Sequence, residues 1–445
     1  MKKIISLMIS CLLVMSAMLF AFAPQADAAL FNIDFQLKSK SVYLENLDTG
    51  SPVFEKDADA RRFPASTTKI MTYIITAEHI SDFKNTYVTV KDQILHELDG
   101  TGSSTAGLIG GEKLSVYQLL CSLMIPSGND AALILADYVG GGNESKFVEM
   151  MNAKAQELGC SGTHFSNPHG LNDPNHYTTV RDMAKIAKYA MTLQMFNEIT
   201  NMTGSDCLGE DRFLITTNYM IDAARGGDYY YEYASGIKTG STGNDSGYCL
   251  VSTASKNGYT YLCVAYGAPY EDKNGEQYEN GAMIDSANLY EWAFNNLSIK
   301  TILDKNDLVK EVRINYAWNK DSIQLIPASG YTSLMPEDVE LESIDRTFNV
   351  PEEIDAPIKE GDKIGTVTLS YANQKLATVD LLASESVDRS DLLTAADGLK
   401  TIATSNWFII TVSVIILLII IYIIIVGVYK RRKRSHRPVK KYRKF

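Results

Sequence analysis

Residues 64–72, which read PASTTKIMT, decide how this chain folds. Residues 41–44 and 53–55, just upstream, have the pattern of two short strands joined by a turn. Downstream, apolar residues recur at helical spacing, which predicts a helix that begins near the proline and buries one face. A residue pair three positions apart shares one face of a helix, so the Ser66 hydroxyl and the Lys69 amine can meet.

Further along, the pattern is helical and then returns to strands. Around the turn Asn257-Gly258, two apolar runs predict a hairpin. Strands at both ends with helices between them predict one mixed α/β (α+β) domain over residues 29–298, whose sheet is assembled from both ends of the segment. The helices are expected at residues 114–124, 131–139, 146–158 and 181–193, and the later strands at residues 236–237, 248–254 and 261–266.

The apolar pattern changes after this domain. Residues 299–382 alternate apolar and polar side chains, which predicts a small β-rich domain with one buried face. Residues 383–406 are polar and small and are interpreted as a spacer.

Composition limits the class of protein. The 445 residues are 45% hydrophobic and 21% charged, too apolar for a disordered chain and too charged for a polytopic membrane protein. The 53 acidic residues exceed the 42 lysines and arginines and give a net charge of −11. Nucleic-acid binding needs a clustered basic surface, so this balance argues against a nucleic-acid partner.

Both ends of the chain carry membrane-related signals. Residues 1–28 combine Lys2 and Lys3, an apolar run and a final Ala-Asp-Ala, which predicts a signal peptide cleaved after Ala28; an uncleaved anchor is the alternative. Residues 407–429 contain no charge and predict a single membrane span, and residues 430–445 form a basic tail. Since basic residues are retained in the cytoplasm, we expect a cell-membrane protein with its main body outside and its C-terminus inside.

Cysteine and histidine usage indicates neither a disulfide framework nor a metal site. Five cysteines remain after the signal, and an odd number outside the cell leaves at least one thiol unpaired. Cys249 and Cys263 flank the predicted hairpin and are either a disulfide or two buried thiols. No recognised zinc-ligand spacing joins Cys160 to the nearby histidines, so no metal or other cofactor is expected.

Three short motifs could carry chemistry. They are Ser66-x-x-Lys69, Ser127-Gly128-Asn129 in a loop between two apolar helices, and Lys238-Thr239-Gly240 on a predicted strand. Each is weak alone, because serine and asparagine also cap helices and lysine is common on edge strands.

Together, and in this order, the motifs are specific. With their contexts at residues 126–132, 167–171 and 236–240, they resemble those of the low-molecular-mass penicillin-binding proteins, the D-alanyl-D-alanine carboxypeptidases, from about residue 31 to 382. The resemblance implies a penicillin-binding or serine β-lactamase-like fold. In that fold an antiparallel sheet has helices on both faces and a helical subdomain, and a small all-β domain follows. Two features depart from the family: Ser235 replaces a common Asp, and a full membrane span replaces an amphipathic surface helix.

The resemblance also implies roles for the motif residues. Ser66 would be the nucleophile that forms an acyl-enzyme, and Lys69 would be a base kept neutral by burial and a nearby cation. Ser127 would relay a proton to the departing D-Ala amine, and Asn129 would hold the substrate amide. His169 is expected to be structural.

A second group of motif residues would bind the substrate. Lys238 and Thr239 would receive the terminal carboxylate. Gly240 belongs to the same strand, and the backbone N–H groups of Ser66 and Ser241 would form an oxyanion hole.

The resulting expectation is a membrane-anchored carboxypeptidase that trims peptidoglycan stem peptides ending in D-Ala-D-Ala and is inhibited by β-lactams. Two alternatives keep the fold: a β-lactamase, which needs a deacylating glutamate that is not found at the expected spacing, and a non-catalytic wall scaffold. The balance between carboxypeptidase, endopeptidase and transpeptidase reactions stays open, as does the oligomeric state.

The net charge is unevenly divided. The signal contributes +1 and the tail +10, so a total of −11 leaves −22 on residues 29–406. A body this acidic repels a carboxylate at long range at low ionic strength. A substrate that ends in a carboxylate therefore requires a local exception, which we expect around Lys69 and Lys238.

Overall fold

A computed structural model describes residues 31–272, 274–372 and 374–434. The predicted signal peptide and residues 435–445 of the basic tail lie outside this part of the chain. The described chain divides into two compact units. One holds the residues up to 298 together with residues 334–338, and the other holds residues 299–333 and those from 339 onward.

Helices and strands occur in groups along the chain rather than in strict alternation. The helices are α1 (Lys69–His79), α2 (Asp92–Leu95), α3 (Val116–Met124), α4 (Asn129–Gly140), α5 (Glu144–Glu157), α6 (Val180–Ala190), α7 (Phe196–Thr200), α8 (Gly281–Asn296), α9 (Asp391–Thr404) and α10 (Asn406–Arg434). The strands of the first unit are β1 (Ser41–Asn46), β2 (Ser51–Lys56), β3 (Tyr87–Thr89), β4 (Lys113–Ser115), β5 (Gly204–Ser205), β6 (Leu214–Ile215), β7 (Ala234–Ser241), β8 (Tyr248–Lys256) and β9 (Tyr259–Ala268). The remaining strands are β10 (Leu297–Leu303), β11 (Lys310–Asn315), β12 (Ser322–Pro327), β13 (Tyr331–Pro336), β14 (Asp345–Asn349), β15 (Glu353–Asp355), β16 (Lys363–Tyr371) and β17 (Gln374–Ala383).

The main sheet of the first unit is antiparallel and is assembled from both ends of the segment. Its strand order is β2-β1-β9-β8-β7, so the N-terminal strand β1 pairs with the late strand β9. This pairing closes a loop of more than 200 residues, and helices α1 to α7 lie within that loop. Strand β7 forms one edge of the sheet.

Alternate residues of the sheet face different helices. On β9, Cys263 lies against Ser286 of α8, and Tyr261 stacks edge-on against Phe294 of the same helix. The alternating residues Leu262 and Val264 belong instead to the core shared with the helical part. The two-residue period of a strand thus places helices on both faces of the sheet, as the family resemblance implies.

Helix α1 forms the centre of the helical subdomain. Eight of its eleven residues are buried, and it packs against α4, α5 and α6. Helix α3 starts at Val116, two residues later than predicted, because Ser115 and Gln118 form a capping box at that point. Residues 113–115 form strand β4 instead.

The hairpin between β8 and β9 turns at Asn257 and Gly258, both with positive φ, as predicted. Its register places Cys263 opposite Ser252 rather than opposite Cys249. Both cysteines are buried free thiols. Of the two alternatives for this pair, the structure therefore has two buried thiols rather than a disulfide.

The second unit contains a six-stranded sheet with the order β14-β16-β17-β12-β11-β15. Its pairs are antiparallel except β11 with β15. Residues 391–404, which the sequence places in a spacer, form the exposed helix α9. Helix α10 follows, and its apolar side chains are exposed along its length.

The start of the first unit is attached to helix α8 by a buried carboxylate. Asp285 accepts hydrogen bonds from the backbone N–H groups of Lys38, at 3.0 Å, and Ser39, at 2.6 Å. Asp285→Ala leaves both donors without this partner, so we expect the free energy of unfolding to fall by about 2–3 kcal/mol. Urea unfolding measures this change, with Asp211→Ala at an exposed aspartate as the control; equal effects of the two substitutions would contradict the assignment.

Candidate active site

The turn that precedes α1 brings the first motif together. Residues Ala65–Thr68 form a 3₁₀ turn that continues into α1, so Ser66 and Lys69 lie one turn apart. Lys69 Nζ is 3.0 Å from Ser66 Oγ. Ser66 is half-buried, whereas Lys69 is completely buried.

The amine of Lys69 has three neighbours within hydrogen-bond distance. Besides the Ser66 hydroxyl, they are the Asn129 side-chain oxygen at 2.6 Å and the His169 backbone oxygen at 2.8 Å. None of the three carries a negative charge. Burial, and secondly the positive charge of Lys238, hold the pKa of Lys69 well below its usual value.

The second motif lies in the turn between α3 and α4. Ser127 has a positive φ of 66° and lines the cleft in front of Ser66. The next helix is fixed by Asp130, whose carboxylate accepts hydrogen bonds from the backbone N–H groups of Ala106 and Leu108. Asp130 thereby holds the preceding loop beside the cleft, and Asn129 is left to contact Lys69.

The third motif lies on the edge strand β7. Lys238 is 1% exposed, and its Nζ donates to the Thr239 backbone oxygen at 3.0 Å. Burial lowers the pKa of Lys238 to about 7. The Thr239 hydroxyl is 2.5 Å from that of Thr217, on a segment far from the motif in sequence.

Two glycines allow other elements to approach Ser66. A side chain at Gly240 on β7 would place its first carbon 3.0 Å from the Ser66 backbone nitrogen. At Gly170, where φ is +96°, the same carbon would lie 1.9 Å from the Ala65 oxygen. The distance at Gly170 is shorter than any real contact and the distance at Gly240 is tighter than most, so the position of Ser66 depends on the absence of these side chains.

These elements enclose a cleft of about 960 Å³ that includes Ser66, Ser127, Asn129, Thr239, Gly240 and Ser241. Lys69 and Lys238 lie beneath its surface. No Asp or Glu among the described residues lines this cleft. The walls of the cleft also include residues that the sequence motifs did not identify, Thr217, Tyr219, Tyr248 and Tyr270. Nothing in their local sequence distinguishes them from other threonines and tyrosines.

His169 contributes its backbone rather than its ring. Its carbonyl holds Lys69, and its ring nitrogen Nδ1 accepts a hydrogen bond from Leu171 N–H at 3.2 Å. Burial, with the nearby charge of Lys69, lowers the pKa of His169 to about 3, so the ring is neutral. Within the described residues, no group of three His, Cys, Asp or Glu side chains is arranged to hold a metal ion.

Comparison with known proteins identifies the family. Residues 25–269 match the D-alanyl-D-alanine carboxypeptidase family, and residues 298–389 match the penicillin-binding protein 5 C-terminal domain. The chain belongs to the D-alanyl-D-alanine carboxypeptidase family. The resemblance predicted from the three motifs is confirmed, and with it the enzyme class, a serine-type hydrolase.

Members of this family match along most of the chain. D-alanyl-D-alanine carboxypeptidase DacF of Bacillus subtilis is 30% identical over 393 residues, which cover 86% of this chain and 95% of the relative. The crystal structure of penicillin-binding protein 5 from Haemophilus influenzae has a TM-score of 0.61 and 25% identity, and the match covers 81% of this chain and 100% of that chain. A Streptomyces DD-transpeptidase, 29% identical with a TM-score of 0.53, covers 59% of this chain and 100% of its own. These likenesses confirm the predicted fold.

The close approach at Gly170 can be tested by adding one carbon. We expect Gly170→Ala to lower the free energy of unfolding by about 3 kcal/mol, since the residue gains both an unfavourable φ and a clash with Ala65. Gly141→Ala is the matched control: its φ is +69° but no atom lies within 4 Å, so about 1 kcal/mol is expected. Thermal or urea unfolding measures both, and equal losses would show that Gly170 is needed only for its φ.

Proposed function

We propose that this protein is a membrane-anchored D-Ala-D-Ala carboxypeptidase that removes the terminal D-Ala from peptidoglycan stem peptides through an acyl-enzyme on Ser66. The observation that carries the proposal is a buried lysine amine within reach of the Ser66 hydroxyl.

The hydrogen bonds around Lys69 support its role as the base. A neutral amine has two N–H donors and one lone pair. The carbonyl oxygens of Asn129 and His169 can only accept, so they take both N–H groups. The lone pair is then available to the Ser66 hydroxyl, whose proton passes to Lys69 as the oxygen attacks the carbonyl between the two D-Ala residues.

The cleft supplies the remaining steps of the reaction. In this proposal Ser127 relays the proton from Lys69 to the departing D-Ala amine. Charge that develops on the carbonyl oxygen is stabilised by the backbone N–H groups of Ser66 and Ser241, which lie on the turn and on the edge strand. Water then hydrolyses the acyl-enzyme and releases the shortened peptide.

The terminal carboxylate of the substrate binds at Lys238 and Thr239. An exopeptidase must recognise a free chain end, and a buried cation beside two hydroxyl groups, those of Thr239 and Thr217, provides a charge-assisted site. Together with Asn129, Gly240 and Ser241, these groups bind the last two residues of the peptide along β7.

The same site would be acylated by β-lactams and release them slowly. A β-lactamase needs a carboxylate to activate the deacylating water, and none lines the cleft among the described residues. This favours inhibition by penicillin over its turnover. A non-catalytic scaffold would not need a buried lysine, whose desolvation is unfavourable.

Helix α10 is proposed as the membrane anchor. The apolar stretch Asn406–Arg432 is long enough, at about 40 Å, to cross a bilayer, and its side chains are exposed to the surroundings. The basic residues at its C-terminal end support an orientation with the catalytic unit outside the cell.

Substitution of the nucleophile tests the reaction. We expect Ser66→Ala to reduce the release of D-Ala from a peptide ending in D-Ala-D-Ala by at least about 1000-fold and to abolish labelling by penicillin. Chromatography of the products and mass spectrometry of the labelled protein measure the two effects. Ser161→Ala, at an exposed serine, is the control, and D-Ala release by the Ser66 variant would refute the mechanism.

The pKa shifts predict a bell-shaped pH dependence of kcat/KM. As pH falls through the lowered pKa of Lys69, the amine becomes protonated and the base is lost. As pH rises above about 7, Lys238 loses its proton in the free enzyme and substrate binding weakens. We expect Lys238→Arg, which stays charged, to move the alkaline limb upward.

Steady-state kinetics between pH 5 and 10 with a D-Ala-D-Ala peptide measure this profile. An alkaline limb at the same pH in the wild type and in the arginine variant would exclude Lys238 as its source.

A further inference from the structure

A second cavity, of about 520 Å³, lies in the same unit as the cleft and is basic. Three cationic side chains line it, those of Lys40, Arg61 and Arg62, and its single acidic lining residue is Asp245. We call it the basic pocket.

The cations of the basic pocket have no carboxylate partners in the part of the chain that the structure describes. Five arginines lie in residues 31–298, and three of them form ion pairs with glutamate or aspartate. The two that line the pocket are the ones that do not: among the described residues no carboxylate oxygen is within 4.0 Å of Arg61, Arg62 or Lys40. In a body with a net charge of −22, such a cluster is available for an external anion. The three paired arginines are Arg181, Arg212 and Arg225.

The arginines are held in place by other contacts. The Arg61 guanidinium lies 4.2 Å from the centre of the Tyr177 ring. Arg62 donates from Nε to the Ser41 hydroxyl at 2.9 Å, and its backbone pairs with Thr178. Less side-chain freedom is therefore lost when an anion binds.

The basic pocket and the cleft are neighbours. Arg62 precedes Ser66 by four residues, so their Cα atoms are at most about 14 Å apart. The loop after β7 lines the cleft with Thr242 and the basic pocket with Asp245. Asn172 joins the two ends of this loop, with hydrogen bonds of 2.8 Å to Thr242 and 2.7 Å to Asp245.

A peptide bound along β7 would continue toward this pocket. Its terminal carboxylate lies at Lys238 and Thr239 and its scissile carbonyl at Ser66, so the preceding residues leave near the end of β7 at Ser241. An extended chain advances about 3.3–3.6 Å per residue, so a residue three positions before the scissile bond reaches about 10 Å beyond it.

We propose that the basic pocket binds a carboxylate of the same stem peptide whose D-Ala-D-Ala end occupies the cleft. This inference rests on the proposed function and adds a determinant of specificity to it: peptides with a free internal carboxylate are preferred over their carboxamide counterparts. The planar, five-donor guanidinium groups of Arg61 and Arg62 suit a carboxylate, which they can bind through paired hydrogen bonds.

Two peptides, one double variant and one control variant test the proposal in the full-length protein in detergent. Both peptides end in D-Ala-D-Ala, and they differ only in a carboxylate or a carboxamide three positions before the scissile bond. We expect Lys40→Gln and Arg61→Gln together to raise KM for the carboxylate peptide on the order of tenfold, because the loss of one charge-assisted hydrogen bond has about this effect on affinity. The value of kcat should stay almost unchanged. KM for the carboxamide peptide should not change.

Lys113→Gln is the matched control, because Lys113 is also an exposed cation over a tyrosine ring, 5.4 Å from the centre of Tyr87. Equal changes for both peptides, or no change for either, would overturn the proposal. A phosphate polymer is the alternative ligand. The proposal would also be overturned if poly(glycerol phosphate) inhibited the wild type but not the double variant, and the double variant kept the wild-type KM for the carboxylate peptide. That result would assign the pocket to a phosphate polymer.

A binding measurement separates this inference from the proposed function. Calorimetry of both peptides with Ser66→Ala, alone and combined with the double substitution, does not depend on turnover. The proposal is supported if Ser66→Ala binds the carboxylate peptide more tightly than the carboxamide peptide and this preference disappears when the double substitution is added. This outcome does not depend on whether D-Ala is released. Equal binding of the two peptides overturns it, even if the wild type releases D-Ala from both.

Discussion

The first unit is built around one unfavourable feature, an amine buried without a carboxylate. A charged lysine in an apolar interior is strongly disfavoured, and the three oxygen atoms within hydrogen-bond distance of Lys69 Nζ are all neutral. Each of these oxygens comes from a different segment: the turn before α1, the turn before α4, and the loop that contains His169. The fold must therefore bring three distant parts of the chain to one nitrogen atom, and the helical subdomain is the structure that does so.

The rest of the unit can be understood as support for that arrangement. The buried face of α1 fixes the direction of Lys69, while Asp130 fixes the start of α4 and so the position of Asn129. The glycines at positions 170 and 240 permit the loop and the edge strand to approach the nucleophile within backbone contact distance. Pairing of β1 with β9 closes the sheet, and β7 presents Lys238 beside Lys69.

Electrostatics connect the site to the surface around it. The body of the protein is acidic, yet two buried lysines lie beneath its cleft, and the neighbouring pocket contains cations that have no ion-pair partner among the described residues. An anionic substrate is weakly repelled at a distance and attracted only where these groups face it. Selectivity for a chain end, and in our proposal for an internal carboxylate, then depends on a few positions rather than on the net charge.

The sequence by itself determined the order of elements, the hairpin at Asn257-Gly258 and the three motifs, because periodicity, turn chemistry and short spacings are local properties. It also placed Ser66 and Lys69 on one face, since three residues make nearly one helical turn. Only the tertiary structure decided which oxygens surround Lys69, that His169 acts through its carbonyl, and that Cys249 and Cys263 are not opposite each other. Long-range packing likewise brings Thr217 beside Thr239 and places Arg61 and Lys40 around one pocket. Sequence separation carries no information about such contacts, because they depend on how the sheet closes.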